Sequence, residues 1–427
     1  MLKLDDATGE VLWSQSYASP NAENDSAYAL ALDGSGDIFI AGRVNVAGRL
    51  DEIALLKFAN VDGELLWTAF DGGAARLDDR ALDVAVGPDG DPVVTGLVQN
   101  ANGTASLLTA KYASADGSPV WGVLTTGLVN DASGDGWIGI DGAGDVLLAG
   151  KAWHSSTSYD VLCAKLDGDD GLQLWRIDWT NGTRADDPGG MLVDAAGDLV
   201  VVGVTAGDYL TVKLSGANGS RTWLSTYNGP QGWYDVANGV AFGSGGEILV
   251  TGFSDGTGTS WDVATLGYDP TTGAQRWARR YDGPAHLTDE ARSLALAPGG
   301  TLYVTGYVYG DVSGMDQVVL AYSHPDLTDA GDLPAPPAPL AAYPNPFNPA
   351  TVVTYRLAAA SEVRLAVHDL AGRLVAVLDG GWREAGTHRA SWGGRDAAGR
   401  VATSGVYVLR LTADGGVRET AKLTLLK

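Results

Sequence analysis

One cysteine, three methionines and five histidines are all that 427 residues contain. The single thiol, Cys163, excludes an intrachain disulfide. The histidines at 154, 286, 324, 368 and 388 have no spacing of a metal site or a catalytic triad. Cys163 stands in an apolar stretch, 161–166, and reads as a small buried hydrophobe. No run of 18 apolar residues occurs, so the sequence predicts no transmembrane segment. Basic residues are scarce too: 28 Lys and Arg stand against 52 Asp and Glu, a net charge of −24. An acidic surface repels phosphate backbones, which disfavours nucleic-acid binding.

Glycine and tryptophan are plentiful, and they are periodic. Tryptophans fall at 13, 67, 121, 175, 223 and 277, in steps of 54, 54, 54, 48 and 54. A fixed period near 50 residues means one supersecondary unit repeated many times. Residues 51–67 (DEIALLKFANVDGELLW) show the unit's second half: a strand carrying Lys57, a turn ending at Gly63 and a strand carrying Trp67. The first half supplies two more strands, 27–32 and 37–42 in the first full unit, the second ending at Gly42. Equivalent glycines stand at 96, 150, 203, 252 and 306. Alternating patterns broken by Asp/Gly turns every 8–12 residues predict antiparallel all-β structure. Four short strands per unit, about six times over, predict a six-bladed β-propeller spanning 1–323. The sixth unit stops before any Trp strand, so the N-terminal strand 11–17 is expected to close it, which would leave residues 2–4 redundant. The repeat begins mid-blade, and residues 1–4 have no character of a signal peptide. A start upstream of Met1 is therefore expected.

An Asp precedes the innermost strand of each unit, at 25, 79, 135, 187, 235 and 289. Such residues cap turns, and a ring of them could also hold Ca²⁺, a cation that takes several oxygens. The DGSGD turn at 33–37 and its relatives at 141–145 and 194–198 resemble a calcium loop but lack its terminal Glu, and read as turns. The recurring Trp reads as a blade-to-blade wedge rather than a ligand surface. Trp153, Tyr159, Trp233, Tyr234 and Trp261 lie outside that column, in loops, and are the candidates for a binding surface.

Residues 324–342 form a Pro-rich linker; 8 of the 17 prolines fall between 325 and 349. From 343 the repeat is gone and the charge reverses, with 11 Lys and Arg against 7 Asp and Glu in 341–427, but 17 against 45 in 1–340. Residues 343–427 predict a small Ig-like β-sandwich. They carry YPNPFNPAT (343–351), VHDLAGRLVAVL (367–378), WGGRDAAGRVATSGVYVLRL (392–411) and KLTLLK (422–427). These segments resemble the type IX secretion C-terminal sorting domain, related to FlgD-type Ig-like domains. Gly393 stands where that family has an Asp. The repeat in turn resembles SBBP-type propeller repeats, and DPTTGAQRW (269–277) is similar to the tryptophan-docking motif of quinoprotein-like propellers. The resemblance implies Tyr343, Pro344, Asn345, Pro346, Phe347, Asn348 and Pro349 as a sorting motif. It also implies the type IX machinery as a partner, and export to the medium or the outer cell surface.

The expected function is a secreted, monomeric propeller that binds a polysaccharide or a surface protein, or scaffolds. No catalytic residue stands out, and no cofactor is expected beyond the calcium the acids could hold. The near-symmetry of the repeat speaks against an enzyme. The alternative is a secreted hydrolase or lyase, which would need a converging pair of carboxylates.

Overall fold

The computed structural model describes the chain except residues 6–7, 20–23, 47–49, 74, 76, 129–135, 155–157, 180–184, 298–299, 311–313, 324–339, 344–346, 348–349, 358–359, 371, 384–385, 414–415 and 426–427. Every regular element described is a β-strand. The chain divides into two compact units, 1–328 and 329–427.

The first unit is built of propeller blades. Five sheets have four antiparallel strands each, in simple up-and-down order; a sixth, of Glu290–Leu296, Thr301–Gly310 and Gly314–Ser323, has three. We number these blades one to six along the chain. The innermost strands of successive blades lie side by side. The middle strands are mostly apolar because both of their faces meet a neighbouring blade; residues 146–149 and 199–202 are fully buried examples.

The glycine that recurs in each second strand has a backbone cause. In blades one, two, four, five and six the innermost strand shifts register by one residue, as between Ala27 and Ala29 or Ala237 and Gly239. This bulge drives a carbonyl against the facing Cα. A Cβ on Gly252 would lie 1.9 Å from the Val236 carbonyl oxygen, and one on Gly203 would lie 2.0 Å from that of Asp187. The alternation of small and large residues in the innermost strand is thus interrupted, contrary to the simple period-2 pattern.

The N-terminus departs from expectation. Val11–Ser14 pairs with Leu2–Leu4, not with the last blade, whose sheet ends at Gly314–Ser323 among the described residues. Leu2–Leu4 is therefore not redundant. A local turn closes this pair, with the Gly9 amide donating to the Asp5 carbonyl at 2.8 Å. Joining two strands a few residues apart costs far less chain entropy than joining strands some three hundred apart. The hairpin also makes the contacts of a blade's outer half: Lys3 Nζ and Trp13 Nε1 both donate to the Asn60 carbonyl of blade one, at 2.9 and 3.1 Å.

The second unit is an Ig-like sandwich of two sheets. One holds Leu340–Tyr343, Thr351–Leu357 and Gly386–Trp392; the other holds Leu374–Arg383, Ser361–Asp369, Gly405–Ala413 and Gly416–Leu425. Their inner faces close over Val353, Tyr355, Leu365, Trp392 and Leu409. The first strand starts at Leu340, inside the stretch that composition assigns to the linker.

Candidate functional site

The recurrent polar residues are joined to one another. In blade one, Asp33 Oδ1 accepts the amides of Ser35 and Asp37, both at 2.9 Å, while its Oδ2 lies 3.2 Å from Lys57 Nζ. In blade three Lys165 sits 2.8 Å from Asp141 and 2.9 Å from Asp145; in blade four Lys213 sits 2.7 Å from Asp194 and 3.3 Å from Asp198. The DGSGD-type turns thus hold a lysine ammonium where a calcium loop would hold its ion. Burial alone would raise the Asp141 carboxyl, but Lys165 and the Ala143 and Asp145 amides outweigh it, and the net shift is downward.

The tryptophans clasp each blade to the next. Trp67 Nε1 donates to the Ser114 carbonyl at 3.0 Å, Trp121 to Gly168 at 3.1 Å, Trp175 to Gly216 at 3.0 Å and Trp223 to Pro270 at 3.1 Å. Each indole covers the next blade's turn glycine. A Cβ on Gly117, whose φ is +74°, would meet Trp67 at 2.6 Å. That glycine satisfies two demands at once, a left-handed turn and a flat seat for the ring. Blade five breaks the pattern consistently. Gly267 replaces the lysine and Glu247 replaces the turn's second Asp, so Trp277 Nε1 enters the vacated space and donates to Glu247 Oε1 at 3.0 Å.

Among the described residues, the acids expected to form a ring do not gather within reach of one cation. Asp79 accepts the amides of Gly73 and Gln99, at 2.6 and 2.7 Å. Asp235 accepts those of Gly229 and Asp255, at 2.9 and 3.2 Å. Asp289 accepts those of Gly283 and Tyr309, and Asp25 that of Ser19. Asp79, Asp235 and Asp289 each tie the segment before them to the hairpin twenty residues on, whereas Asp25 accepts the Ser19 amide. Asp135 lies outside the described residues. In blade four the equivalent acid is the fully buried Asp186, not Asp187. The spacing to the blade's glycine carried that signal, being 17 residues for Asp186 and for Asp25, Asp79, Asp235 and Asp289 alike. Asp187 is free of that duty and instead faces Lys151 at 3.5 Å.

Three carboxylates do approach one another: Asp262, Asp282 and Asp289 have oxygens within 4.8 Å. Arg280 already pairs with one of the three, its Nη2 lying 2.9 Å from Asp262 Oδ2. Burial raises the Asp289 carboxyl; its two amide partners lower it, and Asp282 and Asp262 raise it further. Asp289 has no exposed surface and both of its oxygens accept amides, so it cannot reach a substrate. We expect chelation by EDTA to leave the melting temperature of the chain unchanged. A fall of several degrees would show a bound cation that stabilises by mass action.

The aromatic candidates, by contrast, gather on the rim formed by the ends of the second strands and the starts of the third. Trp153 and Tyr159 of blade three form a cross-strand pair with ring centroids 5.1 Å apart. On blade five, Trp261 stacks on Phe253 at 4.5 Å, and Tyr234 leans on both, at 6.2 and 6.1 Å. Trp233, beside them in sequence, is 78% exposed. Phe253 and Lys151 complete these groups and escaped sequence reasoning. Both directly follow the recurring glycine, a position held by Arg43, Leu97, Val204 and Tyr307 elsewhere. Cys163 is fully buried, and its thiol is pushed up to about 12 by burial and by Asp178, which makes it inert.

In the second unit, Phe347 of the expected sorting motif is 2% exposed. Its amide donates to the Thr424 carbonyl at 3.0 Å and its ring lies 5.4 Å from that of Trp392. Tyr343 ends the first strand; Pro344, Asn345, Pro346, Asn348 and Pro349 lie outside the described residues.

Residues 348–416 match the FlgD Ig-like domain family. No curated protein sequence matches the chain. Among solved structures, the chain is similar to PorZ, an essential bacterial surface component of the type-IX secretion system of Porphyromonas gingivalis. The identity is 15%, over 94% of this chain and 51% of that one, with a TM-score of 0.40; the chain thus spans about half of PorZ. It is also similar to the quinohemoprotein alcohol dehydrogenase from Comamonas testosteroni (12% identity, 94% of this chain, 72% of that one, TM-score 0.49). BamB from Moraxella catarrhalis is another (14%, 73%, 88%, TM-score 0.41). None of these likenesses bears on what this chain binds or does.

Proposed function

We propose that the chain is a secreted or cell-surface binding protein: a propeller that engages a glycan or a protein, joined to a C-terminal Ig-like domain that serves as its address for type IX export. The observation that carries the binding half is the use to which the propeller puts its polar residues. The recurrent Asp, Lys and Trp are committed to turns and blade contacts, and the prominent asymmetric feature left among the described residues is the aromatic rim of blades three to five. A binding role needs such a ledge. A hydrolase needs an accessible acid pair; of the acids that converge here Asp289 is sealed and Asp262 is paired with Arg280, which leaves Asp282 alone accessible.

The address half is supported by the match to the FlgD Ig-like family over 348–416 and by the compactness of 329–427 as a unit. The test uses a host with type IX machinery and a signal peptide fused ahead of Met1. Deleting residues 340–427 should leave a folded propeller in the periplasm, and fusing those residues to an inert periplasmic reporter should send the reporter out. The deletion begins at 340 because Leu340–Tyr343 is a sandwich strand. Full export of the truncated chain would overturn the address.

A further inference from the structure

Blade four has the shortest turn between second and third strands. Thr205 pairs with Asp208, and only Ala206 and Gly207 lie between, at φ +53° and +100°. Two left-handed residues in a row make the tight hairpin of type I′. Blades one, two and five put five residues there: 46–50, 100–104 and 256–260. The rim is therefore lowest over blade four, and side chains from either side reach across it. The Gly207 carbonyl accepts the Asp235 amide at 2.7 Å, which seats Tyr234 beside the short turn. From blade three, Lys151 lies 5.9 Å from the Tyr159 ring centre and 3.5 Å from Asp187 of blade four. Tyr234 senses both partners of that pair: burial raises its hydroxyl, Asp187 raises it further and Lys151 pulls it back. One band thus runs from Trp153 and Tyr159, through Lys151 and Asp187, to Tyr234 and Trp261.

We propose that this notch over blade four is a binding site for a neutral polysaccharide. This deepens the binding reading above and rests on it. A pyranose ring has an apolar C–H face and an edge of hydroxyls. The rings of Trp153, Tyr234 and Trp261 suit the first, while the Lys151 ammonium and Asp187 carboxylate, a donor and an acceptor side by side, suit the second. The band is open and crosses three blades, which fits a chain of sugars better than a single small molecule. Charge selects among polysaccharides. With 17 Lys and Arg against 45 Asp and Glu in 1–340, the propeller repels uronates and sulfates and leaves neutral chains.

The test is native affinity electrophoresis of the full chain through gels containing a mixed-linkage β-glucan, galactomannan or arabinoxylan. Polygalacturonate and chondroitin sulfate serve as acidic probes. At least one neutral polymer should retard the protein. Tyr234→Ala and Trp261→Ala should each weaken that retardation about tenfold, the effect of losing one well-placed ring contact. Replacing Ala206 and Gly207 with the five residues 100–104 of blade two should fill the notch and abolish retardation. Trp382→Ala, at a 62% exposed ring of the second unit, should change nothing. Melting temperatures identify any variant that fails to fold. Trp233→Ala, at a ring that is 78% exposed, then stands in, with an expected loss of the same sign. The proposal is overturned if no neutral polymer retards the chain, if only the acidic polymers do, or if the ring and loop variants bind like the parent. In none of those cases is export affected. Loss of the address in the fusion experiment would instead strike the broader reading and leave the gels unchanged.

Discussion

Gly252→Ala should yield no stably folded propeller. The added Cβ would lie 1.9 Å from the Val236 carbonyl oxygen and 2.9 Å from the Ala237 Cα. Both are backbone atoms at the bulge of the innermost strand, and a rotamer change cannot move them. Relief requires undoing the bulge, which would shift the strand's register and turn its side chains to the wrong face. Overpacking a rigid site costs about 1–3 kcal/mol when side chains can yield; here they cannot, and the cost should exceed about 3 kcal/mol, a large share of a domain's stability. Ala81, in the matching innermost strand of blade two, is an internal control: Ala81→Gly adds no atoms and should lose the cost of a flexible residue, about 0.5–1 kcal/mol, plus about 0.8 kcal/mol for its buried methyl. The measurement is urea unfolding followed by tryptophan fluorescence. A Gly252→Ala chain that unfolds at the parent's midpoint would refute the bulge as the reason for the glycine.

Lys165→Met should cost about 3–5 kcal/mol at neutral pH, the loss expected when one member of a buried ionic group is removed. The lysine side chain is 11% exposed, and those of Asp141 and Asp145 are 7% and 22%. The sign of the pH dependence separates this cause from lost packing. In the parent the folded Asp141 carboxyl lies below its unfolded value. Its contribution is therefore present above the unfolded pKa, roughly 4, and disappears as pH falls through the lower folded value. In Lys165→Met the Asp141 carboxyl keeps the burial that raises it and loses the ammonium that lowers it, so its folded pKa moves up. The variant then gains relative stability on acidification. The gap between parent and variant should be wide at pH 7 and should narrow towards pH 4. A gap of equal size at both pH values would assign the effect to packing alone.

Much of this was legible in the sequence because the contacts involved are periodic. The Trp13-to-Trp277 column, the turn glycines and the lysines recur at fixed steps, and a residue that clasps the next blade must recur once per blade. Alternation after residue 343 likewise points to the sandwich, which the second unit is. What escaped reading was aperiodic or lay in the backbone. The bulge is one extra residue in a strand, and only its shadow, the glycine opposite, shows in composition. Asp187 reads as the blade-four cap by its place before the innermost strand, although the spacing of 17 belongs to Asp186. Residues 340–342 read as the tail of a Pro-rich linker because three small or apolar residues have no pattern of their own; pairing with Thr351–Leu357 makes them, with Tyr343, a strand. The convergence of Trp153, Tyr159, Tyr234 and Trp261 could not be read at all. It depends on a turn in blade four that contains none of them.

The indole clasps also impose an order in time. Trp67 waits for the Ser114 carbonyl, 47 residues further along the chain, and Trp13, Trp121 and Trp223 wait equally long for Asn60, Gly168 and Pro270. At synthesis rates of roughly 5–20 residues per second, each partner leaves the ribosome some 2–9 seconds after the tryptophan that needs it. During that interval the newest blade presents an unseated indole and an uncovered sheet face. The nascent chain thus always carries one unfinished interface, and it moves towards the C-terminus one blade at a time.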